Sequence, residues 1–256
     1  MRKISLGFLV LAAVLSASPL LAQAPAQAPP CTPPPEPPPP AFTGNISFGL
    51  GITSGNKDTT NVNAGYEFKY DPKTKNVLKS AGLFLYGKTD GEVSNETYGL
   101  SARDEYSFSP RAFVFGDVKY LHDRFKGIQS LISPTAGVGY KIVDNKATAL
   151  SVSGGLGAVW EKDYDVESKT TGAASFDEKF TQNLSASASV GQSFSALWNV
   201  GDFGDALYLF GANIAASVVG KAQIKLELLD TYKTRPPLPT LKSNDVNFIT
   251  SIVYKF

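Results

Sequence analysis

The residues of this 256-residue chain that could do chemistry are charged side chains of opposite sign at alternate positions. Alternate residues of a strand face the same side, so the members of each pair share a face. Such a face could line a pore that orders ions or a small solute, or form an internal ion-pair network that fills a narrow lumen. The mixed signs favour the network, because a selectivity filter more often carries one sign. The predicted lumen charges are Glu67 with Lys69, Arg103 with Glu105, Asp117 with Lys119, and Lys225 with Glu227.

Few residues are available for covalent catalysis or metal binding. The single Cys, single His and single Met exclude a disulfide framework, multi-Cys zinc sites and most His-based metal centres. His122 could be the base of a lipid hydrolase that uses a serine, but a lone His at a strand end is more often a loop or interface residue. Asp163, Asp165 and Glu167 could offer oxygen ligands to calcium, yet they lack EF-hand spacing. We therefore predict no catalytic, cofactor or metal site, and no enzyme.

The overall composition excludes two further classes. With 43% hydrophobic and 18% charged residues, the chain has enough apolar side chains for a folded domain, unlike a disordered segment. Its 24 Lys and Arg residues balance 23 Asp and Glu residues, so it lacks the basic field that nucleic-acid binding requires. We predict no nucleic-acid partner.

The first 41 residues read as a leader and a tether. Residues 1–24 have a positive start, an apolar run and small residues at the end, which predicts a secretory signal peptide. Residues 25–41 are rich in proline and predict an extended, disordered linker, in which Cys31 is a linker residue. The folded domain is therefore expected over residues 42–256.

Beyond residue 41 the hydrophobic pattern has a period of two. Between Asn61 and Asp71, for example, the even positions are apolar or aromatic and the odd positions are mostly polar. A soluble sandwich or a membrane barrel could produce such two-faced strands. Small residues on the odd face, such as Gly49, Ser153 and Gly155, suit a small curved lumen better than a sandwich core.

Strand number and turn lengths favour the barrel. The pattern predicts about twelve strands, with ten as the alternative, joined by short turns at one end and longer polar loops at the other. The Tyr and Trp residues have even numbers, which match the apolar face, and several of them lie near strand ends, as in an interfacial girdle. The predicted longer loops are 55–58, 90–95, 123–130, 163–174, 199–204 and 234–243.

Several motifs carry a resemblance to a known family. The final strand, with Ile252, Tyr254 and Phe256, resembles the C-terminal assembly signal of bacterial outer-membrane proteins, which the barrel-assembly machinery reads. The run from Ser54 to Thr60, and Tyr120 to Phe125 followed by Gly137 to Tyr140, resemble the salt-induced outer-membrane protein family. That resemblance implies an outer-membrane barrel of undefined molecular role and transfers no functional residue.

The combined expectation is an all-β protein, a transmembrane antiparallel up-and-down β-barrel in the outer membrane of a Gram-negative bacterium. Its expected partners are outer-membrane lipid, lipopolysaccharide and the barrel-assembly machinery. The expected function is that of a non-enzymatic envelope component or a narrow small-solute or ion channel. An outer-membrane lipid hydrolase and a surface protein that binds a partner through its loops are the alternatives.

Overall fold

Twelve antiparallel strands form one closed barrel, which confirms the predicted fold and strand number. The computed structural model describes residues 40–53, 58–164, 166–238 and 240–256, so the predicted signal peptide and most of the linker lie outside the described residues. The strands are β1 (Phe42–Thr53), β2 (Thr59–Tyr70), β3 (Asn76–Thr89), β4 (Glu92–Ser107), β5 (Ala112–Asp123), β6 (Ile128–Asp144), β7 (Thr148–Asp163), β8 (Lys169–Asn183), β9 (Ala188–Asn199), β10 (Asp202–Val219), β11 (Ala222–Lys233) and β12 (Asn244–Lys255).

Each strand pairs with its neighbours in the chain, and β1 closes the barrel by pairing with β12. Closure leaves no sheet edge, so the backbone groups of the strands find partners without water, as a lipid environment demands. Between strands consecutive in the chain the registers run through most of each strand, from Phe42 opposite Tyr70 to Thr53 opposite Thr59 in the first pair. The closing pair is shorter, from Asn45 opposite Lys255 to Phe48 opposite Ile252. Among the described residues, no helix is long and apolar enough to span a membrane.

The connections at the two ends of the barrel differ less in length than the sequence suggested. We call the end that holds the connections 71–75, 108–111, 145–147, 184–187 and 220–221 the terminus end, and the other the loop end. Four connections at the loop end are shorter than predicted: 90–91, 124–127, 164–168 and 200–201. Strand pairing continues there through polar residues, because ladder hydrogen bonds need only the backbone. The connection 234–243 keeps its predicted length, and most of the connection between β1 and β2 lies outside the described residues.

Even-numbered residues cover the outside of the barrel with apolar side chains, as predicted. Ile52 is 68% exposed and Leu156 69% exposed, levels that a soluble protein seldom tolerates over a wide surface. Further exposed members of this band are Ile46, Phe48, Leu50, Val114, Val118, Val138, Ile214, Ile224 and Phe248. The band is what lipid contact requires of a barrel.

The C-terminal residue is built into an aromatic cluster at the terminus end. The Phe256 ring lies 6.0 Å from the Phe42 ring and 5.8 Å from the Phe68 ring, measured between centroids. Gly44 makes room for it, since a Cβ there would lie 2.6 Å from a Phe68 ring atom and 3.0 Å from Phe256 Cζ. The Phe256 N–H also donates to the Gly44 carbonyl at 3.0 Å, and the Gly44 N–H donates back at 3.2 Å.

Deleting Phe256 is therefore expected to lower the amount of assembled barrel several-fold. The deletion removes a ring from the cluster and both backbone hydrogen bonds at the last point of β1–β12 closure. Immunoblots of outer-membrane fractions measure the effect. Phe248→Ala is the matched control, because this ring is 71% exposed on the same strand. Cys31→Ser is a second control. Equal levels in all three variants would contradict a role for Phe256 in assembly.

Candidate functional site

The lumen contains an ion network centred on Arg103 of β4. Its Nε lies 2.9 Å from Glu105 Oε1, and its Nη1 lies 3.2 Å from Asp117 Oδ2 on β5. The Arg103 Nη2 group also donates to Ser153 Oγ on β7 at 2.9 Å. The guanidinium carbon stacks 3.7 Å from the ring centroid of Phe115, which adds a cation–π contact. One arginine thus joins three strands across the inside of the wall.

A second centre of the network is Asp177 on β8. Its carboxylate lies 2.6 Å from Lys119 Nζ and 3.6 Å from Arg103 Nη1, so it joins two cations of the network. Ser195 donates a hydrogen bond to the same carboxylate, and Thr135 donates one to Asp117. β4 and β8 are four strands apart, so these contacts reach across the lumen. The network satisfies charges that could not otherwise remain ionised in a narrow interior.

The predicted lumen charges are only partly paired as their spacing suggested. Arg103 with Glu105 and Lys225 with Glu227 form the predicted ion pairs, the second at 2.8 Å. Asp117 and Lys119 do not pair with each other but contact residues on other strands. The spacing of two charges along one strand places them on the same face. It does not determine which residues on other strands they contact.

The prediction that Glu67 pairs with Lys69 is wrong. Lys69 Nζ lies 3.0 Å from Asp71 Oδ2 in the adjoining turn, outside the lumen network, and Glu67 accepts a hydrogen bond from Asn45 at 3.4 Å. Burial alone would raise the pKa of Asp71. Hydrogen bonds from Lys69 and from the Lys73 side chain and N–H outweigh that effect and hold the pKa of this carboxyl at about 2. The Lys69 ammonium group thus pairs with Asp71 at the rim of the terminus end.

Above the ion network, toward the loop end, the lumen is apolar. Leu131 on β6 and Leu207 on β10 are buried in one cluster inside the barrel, at 5% and 8% exposure. We call these side chains the leucine belt: Leu121, Ile128, Leu131, Val159, Ala173, Leu197, Leu207 and Leu209. Apolar side chains that pack inside the wall exclude ordered water from this part of the lumen.

Charged and polar contacts span the lumen beyond the leucine belt. Lys233 on β11 pairs with Glu161 on β7 and lies 3.6 Å from Asp163 Oδ1, although β7 and β11 are four strands apart. Asn95 on β4 donates to Asn247 Oδ1 on β12 at 2.6 Å, again over four strands. The Lys233 side chain is only 3% exposed. These two contacts cross the lumen between different strands and narrow it at the loop end.

The connection between β11 and β12 crosses the mouth at the loop end. We call residues 234–243 the crossing segment; all but residue 239 are described. A Cβ on Gly127, in the turn between β5 and β6, would lie 2.6 Å from Pro237 Cγ and 2.8 Å from Leu241 Cδ1. That turn and the crossing segment belong to strand pairs six places apart in a ring of twelve, which are opposite sides of the barrel.

Lys126 fastens the crossing segment to the opposite rim. This lysine lies in a short 3-10 turn (Arg124–Lys126), which Asp123 caps by accepting hydrogen bonds from the N–H groups of Phe125 and Lys126. Its Nζ lies 2.9 Å from Asp245 Oδ2 and donates to the Lys242 carbonyl at 3.2 Å. The side chain is fully buried, at 0% exposure, so its charge depends on these partners.

A chamber of about 380 Å³ lies inside the barrel. The leucine belt supplies much of its wall, while small and polar residues of β1, β2 and β12, including Ser47, Gly65 and Ser251, supply another part. At the terminus end the exposed Glu67 side chain and the Lys225–Glu227 pair also line it. Side-chain contacts thus cross the lumen at the loop end, and charged side chains line it at the terminus end.

His122 lies in an aromatic group on the outer surface near the loop end. Its Nδ1 is 2.8 Å from the Gln129 carbonyl, and its ring centroid is 5.0 Å from that of Tyr98. The Nε2 atom lies 4.0 Å from the Glu96 carboxylate and has no hydrogen-bond partner in the described part of the chain. These contacts resemble those of an interfacial girdle residue. The absence of catalysis stays a prediction.

The alternating acidic residues at the end of β7 and after it are only partly described. Asp163 faces Lys233, and Asp165 lies outside the described residues. Within residues 40–53, 58–164, 166–238 and 240–256, no group of three or more His, Cys, Asp or Glu side chains is arranged to hold an ion.

Sequence reasoning missed several lumen residues, some of which carried a usable signal. Lys79 and Asp177 have odd numbers within predicted strands, and Lys79 Nζ lies 2.7 Å from Glu105. Lys79 has no opposite charge two residues away, so a search for alternating pairs passes over it, whereas Asp177 and Lys179 form an alternating pair that the predicted lumen charges do not include. The leucine belt also has mostly odd numbers, which parity alone assigns to the lumen. The role of Lys126 had no such signal, because its partners lie more than 100 residues away.

Comparison with known proteins agrees with the barrel. A family model described as "Protein of unknown function, DUF481" matches residues 46–256. The Escherichia coli (strain K12) protein "Uncharacterized protein YdiY" is 25% identical over 154 residues, which cover 56% of this chain and 61% of that protein. The expected resemblance to salt-induced outer-membrane proteins is confirmed.

Two solved structures show similar folds. An outer membrane channel from Pseudomonas putida F1 has a TM-score of 0.50 at 13% identity, with 84% of this chain and 95% of that chain covered. The NanC porin has a TM-score of 0.47 at 8% identity, with coverage of 84% and 99%. The fold of this closed β-barrel is thus similar to that of an outer membrane channel.

Proposed function

Because the chain belongs to the DUF481 family, described as being of unknown function, we propose its role from its own lumen. It is a non-enzymatic outer-membrane protein that gives small solutes a narrow passage, held closed at the loop end. The observation that carries this proposal is Lys126, whose buried ammonium group fastens the crossing segment to the opposite rim. An open pore would leave that rim free.

The width of the barrel supports a narrow passage. Eight-stranded barrels are filled by side chains, and barrels of sixteen to eighteen strands leave an open channel, so twelve strands lie between these cases. Here the Arg103 network fills one side of the lumen, while small residues such as Ser47 and Gly65 keep the other side free. Opposite charges in nearly equal number predict weak selectivity between anions and cations.

Location and assembly follow from the outer surface. We propose that the protein lies in the outer membrane of a Gram-negative bacterium after removal of residues 1–24. Its apolar band contacts lipid and lipopolysaccharide. Ile252 and Tyr254 on β12 are 65% and 50% exposed, and Phe256, which follows the strand, is 38% exposed, so the barrel-assembly machinery can contact all three. Membrane fractionation distinguishes this from a loop-binding surface protein, which would be recovered without detergent.

Osmotic swelling of proteoliposomes tests the proposed passage. Wild-type protein is expected to admit lysine and glutamate slowly and at similar rates. In the double variant Arg103→Ala/Lys119→Ala, the carboxylates of Asp117 and Asp177 lose their cation partners. Lysine should then enter several-fold faster than glutamate. Fast, strongly anion-selective swelling with wild-type protein would contradict the proposal, as would entry rates that the double variant leaves unchanged.

A further inference from the structure

The upper lumen has two properties that a mere passage does not need. Its chamber, of about 380 Å³, is walled by side chains that include Leu83, Leu121, Leu131, Leu207 and Leu209. Ligand pockets in proteins typically measure 300–1,000 Å³ and are mostly apolar, with a few polar groups that fix orientation. An apolar cavity of about 150 Å³ already accommodates benzene. The chamber is therefore large enough for a molecule of more than one ring.

Two hydroxyl groups face this chamber without partners. Ser175 on β8 and Ser251 on β12 both line it, and they are 6% and 4% exposed. Neither Oγ has a hydrogen-bond partner among the described residues. A buried polar group normally has a partner, since leaving it unsatisfied destabilises the fold. Two such hydroxyls in one apolar chamber are the polar contacts that a ligand would complete.

The charges around the chamber disfavour an ionic ligand. Lys119 is paired with Asp177, and Lys225 with Glu227, at 2.6 Å and 2.8 Å. An anion would also meet the carboxylate of Glu67, which lines the lower part of the chamber. A cation would find one unpaired carboxylate oxygen in the lining, Asp230 Oδ1, but it would have to leave water for a wall that is mostly apolar. An uncharged molecule carries neither penalty.

We propose that this chamber is a binding site for an uncharged, mostly apolar small molecule that carries a hydroxyl or carbonyl group. Its apolar body packs against the leucines, and its polar atom bonds to Ser175 or Ser251. The ligand enters from the terminus end, because the crossing segment covers the other mouth. The inference deepens the proposed function by naming the solute class, and it requires binding but not conduction.

Fluorine NMR on the purified full barrel in detergent tests the site. The probe is 4-(4-fluorophenyl)butan-1-ol, and empty micelles give the background. Two comparison probes are 1-butyl-4-fluorobenzene, which lacks the hydroxyl, and 4-(4-fluorophenyl)butanoate, which is charged. We expect the alcohol to bind more tightly than either comparison probe. Butanoate binding as tight as that of the alcohol would overturn the assignment to uncharged molecules.

A chamber-filling variant locates the bound probe. In Gly99→Leu, the new side chain enters the chamber, and its Cβ meets only Leu83 Cβ, at an ordinary 3.9 Å. Affinity for the alcohol should fall at least tenfold. Gly116→Leu is the matched control, because Gly116 is exposed on the outer face and a Cβ there meets nothing within 4 Å. Equal affinity in wild type and Gly99→Leu would overturn the proposal.

A second pair of changes keeps the test decisive if Gly99→Leu does not fold. Ser175→Ala/Ser251→Ala should lower affinity for the alcohol roughly 2- to 10-fold, the worth of one hydrogen bond, and leave the hydrocarbon unaffected. Ser107→Ala, outside the chamber lining, is the control. An equal loss for both probes would overturn the role of the hydroxyls. Binding without swelling would reject the passage alone, whereas swelling without binding would reject the site alone.

Discussion

Lys126→Ala is expected to open the barrel. Without the ammonium group, the opposite rim loses its ion pair with Asp245 at the start of β12 and its hydrogen bond to the Lys242 carbonyl of the crossing segment. Planar-bilayer recordings should show a steady conductance at least tenfold above that of wild type. The contact is fully buried, so high salt should not imitate the substitution.

The matched control is Lys242→Ala. This lysine is also in the loop-end closure, but it contributes only its backbone carbonyl, and its side chain is exposed. Both substitutions remove one positive charge from the same mouth. A similar rise in conductance in both variants would show that charge, rather than the fastening of the crossing segment, controls the current.

Arg103→Ala is expected to produce the largest loss of stability. It leaves the Asp117 carboxylate, whose side chain is 1% exposed, and the Glu105 carboxylate, at 8%, without their arginine. Removing one partner of a buried ion pair lowers the free energy of unfolding by about 3–5 kcal/mol. Urea titration followed by tryptophan fluorescence measures the change. Arg103→Lys should lie between wild type and alanine, because it keeps the charge without the planar group that reaches several partners.

Two comparisons separate this effect from a general loss of charge. Arg124→Ala breaks a pair with Glu96 at 3.1 Å in which the arginine side chain is 54% exposed, and it should cost about 0–1 kcal/mol. In Arg103→Ala/Asp117→Asn, part of the lost stability should return, since the unpaired charge is removed. A loss as large for Arg124→Ala as for Arg103→Ala would contradict the network as the main electrostatic contribution.

The local pattern predicted the barrel because strand faces have a period of two. The even positions from Val62 to Tyr70 face outward and the odd positions face the lumen, as the alternation of residue types along the strand predicts. Loop lengths were predicted less well. Lys169 and Asp202 look like loop residues, yet their strands begin there because backbone pairing tolerates polar side chains.

The closure of the lumen could not be predicted from the same pattern. Parity places Glu161 and Lys233 inside but does not say that β7 and β11 approach each other across the mouth. The contacts of Lys126 depend on a loop that crosses to the opposite rim. The spacing of residues close together in the sequence does not indicate that crossing. The partner of a lumen charge is set by strand order and stagger around the whole barrel. Residues on one strand therefore predict a face, but not a contact.

The steady current of the wild-type barrel in planar bilayers tests the central claim most directly. With the crossing segment fastened and the Arg103 network intact, we expect a current close to that of the bare membrane, interrupted by brief openings of small amplitude. In the same recordings, the Lys126→Ala variant should show a steady conductance. A wild-type barrel that conducts as steadily and as strongly as Lys126→Ala would contradict a lumen closed at its loop end.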